Sequence, residues 1–155
     1  MSDFDRLATW AAPLLQQMQP AARSKLARLI ATDLRRSQAR RITAQQNPDG
    51  SGFAPRKAPP TKRSQRGAIR RRGKMFGKIK QARHLRVQAS PSAATVEFAG
   101  RVARIARVHQ YGLRDKVGRK GPDVRYDQRE LLGFSGADRE RIEDLLLQHF
   151  RAAIG

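Results

Sequence analysis

Between Pro55 and Arg86 lysines and arginines recur without a single aspartate or glutamate, broken by prolines at 55, 59 and 60 and glycines at 67, 73 and 77. No apolar period here is strong enough to hold a fold, and like charges at this density repel one another. The core must therefore be assembled from the two flanks of this stretch. The chain has 155 residues, the length of one ordinary domain, so residues 1–155 read as a single domain in which 51–82 form a basic mobile loop or arm. Met75, Phe76 and Ile79 give that arm a short docking segment.

The charge is segregated along the whole chain. Residues 1–33 hold 4 basic and 3 acidic residues, 34–120 hold 24 and 3, and 121–155 hold 5 and 7. The middle therefore carries the entire formal excess of +20, and such a field points to an anionic partner. With no cysteine, disulfides and thiolate sites are excluded. "MSDFDRLATW" lacks the basic flank and apolar run of a signal peptide, and no segment reaches the roughly 20 apolar residues that span a bilayer. The expectation is a soluble protein of a host-cell cytoplasm with no membrane partner.

Periodicity organises the flanks. Ser2 is placed to cap a first helix with Asp5 in the capping-box position, and Phe4, Leu7, Trp10, Leu14, Leu15 and Met18 share a face. Pro13 predicts a kink or an early end near Ala12. A second helix after Pro20 turns Leu26, Leu29, Ile30, Leu34 and Ile42 inward, and the tight joint suggests an antiparallel pair. Asn47-Pro48-Asp49-Gly50 is a turn signal. Leu85, Val87 and Ala89, then Ala94, Val96 and Phe98, alternate as in half-buried strands. A short helix over Arg101–Tyr111 presents Val102, Ile105 and Val108 to the sheet and stops at Gly112, before a basic loop "LRDKVGRKG". A third extended piece, "DVRYDQ", precedes "RELLGFS". The last segment is an amphipathic helix capped by Ser135 and Asp138, with Ile142, Leu145, Leu146, Phe150 and Ile154 on one face. The class is α+β: N-terminal helix pair, long basic loop, small antiparallel sheet with a short helix, and C-terminal helix.

The residues offer little chemistry. His84, His109 and His149 have no acid or second histidine at metal-ligand spacing. Ser135 in "GFSG" lacks the first glycine of a nucleophile elbow and reads as a cap. No catalytic, metal or cofactor site is assigned, and the reading is a non-enzyme. The candidate partner-facing or DNA-facing arm is Arg56, Lys57, Lys62, Arg63, Arg66, Arg70, Arg71, Arg72, Lys74, Lys78 and Lys80. Few aromatics interleave with these cations, so contact with nucleic acid would run through phosphates, without sequence preference. A sequence-nonspecific nucleic-acid-binding protein is therefore the alternative reading.

"RRITAQQNPDGSGFAPRK", "HLRV", "RVARIARVHQYGLRDKVGRKGPDVRY" and "RELLGFSGADRERIEDLLLQH", in this order, resemble the virion-morphogenesis or tail-completion proteins of contractile-tailed phages, relatives of Mu-like virion proteins. The resemblance runs from about Ser24 to Phe150. Its most specific positions are Asn47, Pro48, Asp49 and Gly50, then His109, Gln110, Tyr111 and Gly112, then Arg129, Leu132 and Gly133, all carried over as fold or interface determinants. It implies a structural virion protein at the head-proximal end or neck of the tail. Such a protein is assembled in the host cytoplasm as a ring of about six copies that readies the tail for a DNA-filled head. The implied partners are the tail terminator, the tail tube or sheath, neck or connector proteins, and genomic DNA through its phosphates. Asp138, Glu140, Glu143 and Asp144 of a neighbouring copy are the expected acidic surface for the arm.

Overall fold

Ser2 caps the first helix. Its hydroxyl accepts from the Asp5 amide at 3.1 Å while the Asp5 carboxylate accepts from the Ser2 amide at 2.9 Å, closing a capping box. The structure, a computed structural model, describes residues 2–57 and 73–154, with side chains to Ala152. Lys62, Arg63, Arg66, Arg70, Arg71 and Arg72 of the arm lie outside the described residues, as does the side chain of Ile154. In order, the elements are α1 (Asp3–Gln16), α2 (Pro20–Thr43), β1 (Leu85–Ala89), β2 (Ala94–Phe98), α3 (Val102–Tyr111), β3 (Arg114–Lys116), β4 (Asp123–Arg125) and α4 (Gly136–Ile154). The fold is α+β, as the patterning predicts.

The elements cluster into two compact units. The first contains residues up to Ser37, Leu85–Glu97 and the chain from Phe134 onward. Its core is Leu7, Ala11, Leu26, Leu34, Ile142, Leu146 and Phe150, with Phe4, Leu14, Leu15, Met18, Ile30 and Val96 packed around them. The Trp10 and Phe150 rings meet edge to face at 5.8 Å. Thus α4 completes the hydrophobic cluster that α1 and α2 begin. β1 and β2 form a two-stranded sheet, closed by Ser90 N–H donating to Ala93 O at 2.8 Å. So short a connection makes the pair antiparallel.

Asp138 is the one fully buried acid of this unit. Ser135 and Asp138 cap α4 reciprocally, at 3.1 and 3.0 Å. The other carboxylate oxygen accepts from the Ser37 hydroxyl and from Arg141, and Arg141 also donates to Asp33 at 3.0 Å. Burial alone would push the Asp138 carboxyl up, but hydrogen bonds from Ser37 and Ser135 and the Arg141 charge outweigh it and hold the group below its ordinary 3.8.

The second unit contains Gln38–His84 and Phe98–Gly133. Ile42, Phe53, Ile79, Ala106 and Leu131 form its core, and Met75, Phe76, Phe98 and Val102 pack against them. Here β3 and β4 pair antiparallel as a second, separate ribbon, Arg114 opposite Arg125 and Lys116 opposite Asp123.

Several expectations change. α1 continues past Pro13 to Gln16: only the last turn loses a bond, and Leu14 and Leu15 are held by the core. Leu29 is 41% exposed, because a position three after Leu26 falls about 60° short of a full helical turn, away from Ile30 and Leu34; Ile105 is 47% exposed, and in α3 the buried positions are Ala106 and Val108. Ala94 is exposed, so β2 does not alternate. "LRDKVGRKG" is not simply a loop, since Arg114–Lys116 is strand β3. Nor are the described ends of 51–82 a free arm. Phe53 N–H donates to Gln45 O at 2.7 Å, Phe53 and Ile79 are buried, and Met75, Phe76 and Ile79 dock as expected.

The Asp138 cluster sets a test. Asp138→Ala leaves the Ser135 amide and the Ser37 hydroxyl without this acceptor and removes one of the two carboxylates on Arg141, and is expected to cost about 3 kcal/mol or more in urea unfolding. Because the folded carboxyl titrates low, its contribution is complete above pH 3.8 and is lost as pH falls through the folded value. Acid titration of wild type against the variant checks this: the difference in stability shrinks below that pH.

Candidate functional site

Residues 126–133, between β4 and α4, have no helix or strand, so their backbone groups must find partners elsewhere. Side chains supply them. The Gln110 amide oxygen accepts from the amides of Leu131 and Leu132, both at 2.9 Å, and its Nε2 donates to Leu132 O at 2.8 Å. Asn47 Oδ1 accepts from Glu130 N–H at 2.9 Å, and Gln38 Oε1 from Gly133 N–H at 3.1 Å. Arg129 N–H donates to His109 O at 2.7 Å. Arg41, near the end of α2, donates to the carbonyls of Glu130 and Leu131, both at 2.8 Å. The strap is tied by three segments: the end of α2, the turn after it, and the last turn of α3.

The Arg129 side chain, 4% exposed, points back into the unit. Its Nε donates to Ala54 O at 2.7 Å and its Nη2 to Pro55 O at 2.9 Å, fixing the entry to the arm. Nη1 lies 3.3 Å from His109 Nδ1. The His109 ring stands edge to face between Phe76 and Tyr126, with centroids 4.8 and 5.0 Å away. Burial, and then the Arg129 charge, push its pKa down to about 4, so the ring is neutral near pH 7 and Nδ1 accepts from the guanidinium. Burial lowers Arg129 too, with Arg56 adding and Asp127 opposing.

Two glycines are required by the strap. Gly112 ends α3 at φ 62°, ψ 50°, and a Cβ there would lie 3.2 Å from Gln128 N. At Gly133 a Cβ would come 2.4 Å from Pro48 Cγ. The motif positions Asn47, Pro48, His109, Gln110, Gly112, Arg129, Leu132 and Gly133 are thus brought together in one unit as determinants of its fold. Asp49 and Gly50 shape the turn, Gly50 N–H donating to Asn47 O at 2.9 Å, and Asp49 accepting from Ser51 N–H at 2.8 Å. Tyr111 is 63% exposed and faces outward. Sequence reasoning missed Gln38, Arg41 and Gln45. Gln45 clamps Met75 at both ends, at 2.8 and 2.9 Å. Gln38 and Arg41 are three apart on one helical face, which alone signals little.

The expected acidic surface needs correction. Asp138 is fully buried and engaged within its own unit, so it cannot receive a neighbour's arm; a carboxylate with this many donors is a cap and a clamp. Glu140 and Asp144 are exposed, while Glu143 is paired with Arg139 at 3.4 Å. Of the arm, Arg56 and Lys57 donate to Gly73 O and Arg125 O at 3.2 and 2.7 Å, Lys80 is bound to Thr43, and Lys74 and Lys78 are exposed. Among the described residues no group of three or more His, Cys, Asp or Glu is placed to hold a metal ion, and no helix is long and apolar enough to cross a membrane.

The segments tied together here are those that carried the resemblance, and sequence comparison agrees with it. Residues 2–151 match the phage virion morphogenesis family. The chain belongs to this family. It is also 39% identical over 150 residues to tail completion protein S of Escherichia phage P2, covering 96% of this chain and 98% of that protein. No solved structure matches it. The family match takes in both units and the whole strap.

Two outcomes test the strap. Gln110→Ala strands two amides and a carbonyl of the strap and should lower stability by on the order of 2–4 kcal/mol in denaturant unfolding. Because His109 titrates lower folded than unfolded, its contribution is complete above pH 6.5 and declines as pH falls from 6.5 towards 4. Thermal unfolding followed across that window should show the decline, and His109→Phe should remove most of it.

Proposed function

We propose that the chain is a non-enzymatic structural protein that completes a phage tail at its head-proximal end, as a ring of about six copies that readies the tail for a DNA-filled head. The observation that carries this reading is the near end-to-end relationship to a tail completion protein. The site supports it: the contacts around His109, Gln110 and Arg129 hold chain segments together. The proposed partners are the tail terminator, the tail tube or sheath, and neck or connector proteins, the assembly forming in the host cytoplasm and ending in the virion.

A +20 subunit repels its own copies, so a ring needs compensating contacts. Glu140 and Asp144 on α4 are exposed, and the basic arm of an adjacent copy is the proposed partner for them. Deleting the gene from its phage and supplying it in trans tests the function: without it, electron micrographs should show tails that fail to join heads, and wild-type protein should restore joined particles. Normal particles in its absence would overturn the reading. Glu140→Lys with Asp144→Lys should abolish rescue while leaving the purified chain folded; full rescue would remove the arm from that contact.

A further inference from the structure

The two units divide the charge very unequally. The second holds 23 Lys and Arg against 5 Asp and Glu, the first 10 against 8. Within the second unit, one face of the β3–β4 ribbon carries three of these cations beside a single acid. Residues directly opposite in an antiparallel pair, and those two apart along a strand, project to the same side. Arg114 is opposite Arg125 and Lys116 opposite Asp123, and all four are exposed, whereas Asp115 and Val124 on the other face are half-buried. Asp115 is occupied by Arg104. Among the described residues, Arg114, Lys116 and Arg125 are in no ion pair.

Two like charges facing each other across a ribbon cost stability. That cost disappears when an anion lies over both. The tip adds Arg119 and Lys120, both exposed. At the root, Lys57, Tyr111, Arg125, Tyr126 and Gln128, together with Asp127 and Gly112, line an open groove of about 250 Å³, with Tyr111 63% exposed.

We propose that the β3–β4 ribbon is a binding face for the phosphate backbone of duplex DNA, with Arg114, Lys116 and Arg125 as its contacts and Tyr111 at its edge. A two-stranded ribbon is one of the two elements that the major groove, about 12 Å wide, admits. Cations on one face of a ribbon also suit a linear polyanion better than a compact acidic patch. Since phosphates carry no sequence information, the binding is nonspecific. This inference does not rest on the ring reading, because it is measured on the purified chain.

The test is fluorescence anisotropy of the full chain with a labelled random-sequence 30-base-pair duplex, repeated from low to moderate salt. The variant Arg114→Gln with Lys116→Gln and Arg125→Gln is compared with a charge-matched control in the first unit, Arg6→Gln with Lys25→Gln and Arg28→Gln. The ribbon variant should bind at least tenfold more weakly and lose about 2–3 from the slope of log affinity against log salt, near 0.9 per lost phosphate contact. The control should keep its slope to within about 1. Equal losses in both variants would mean diffuse attraction and overturn the proposal. So would a wild-type chain that does not bind the duplex, or one released as readily by polyglutamate as by unlabelled DNA at equal charge, which would point to an acidic protein. Circular dichroism and thermal unfolding confirm that both variants fold, and Lys116→Gln alone, which leaves both arginines in place, should reduce the slope by about 1.

Discussion

A single side-chain amide organises the second unit. The strap 126–133 is irregular, and an irregular segment without backbone partners costs free energy at each buried polar group. Gln110 satisfies three of those groups at once. Once they are bound, Leu131 lies fully buried in the core with Ile42 and Ala106, Arg129 is aimed at the carbonyls of Ala54 and Pro55, and Gly133 lies against Pro48. Arg41, Asn47 and Gln38 supply the remaining bonds. Helix end, turn and strap become one object held by side chains reaching to main chain.

The first unit solves a different problem. Three helices contribute to an apolar cluster, and one carboxylate, Asp138, caps α4 while clamping Ser37 and Arg141. A buried acid is tolerable only when its donors outweigh the loss of water. Here they do, which is why the group titrates low despite its burial. The second unit, by contrast, concentrates the positive charge, with neutral His109 and buried Arg129 at its interior.

Much of the architecture was legible in the sequence. The capping pairs Ser2/Asp5 and Ser135/Asp138, the Asn47–Gly50 turn, the stop at Gly112 and the docking role of Met75, Phe76 and Ile79 rest on residues close in sequence or on strong apolar signals. The order of quoted segments was also enough for the family. Less legible were the inward face of α3, where Ala106 and not Ile105 is buried, the separation of β3–β4 into its own ribbon, and the burial of Asp138. The arm's boundaries were drawn too wide because composition does not show that Phe53 finds Ile42 and Ile79.

What the sequence determined by itself, then, is what neighbours along the chain decide: caps, turns, helix periods, the segregation of charge, and the motif order that marks a virion morphogenesis protein. What only the tertiary structure decided is which of the marked polar residues meet. Gln110 and Leu132 are 22 positions apart, Arg129 and Ala54 are 75, and Asp138 and Ser37 are 101. The physical reason is that a hydrogen bond between a side chain and a distant backbone group leaves no periodic trace in the chain; it exists only after packing has brought the two within about 3 Å and removed the water that would otherwise compete.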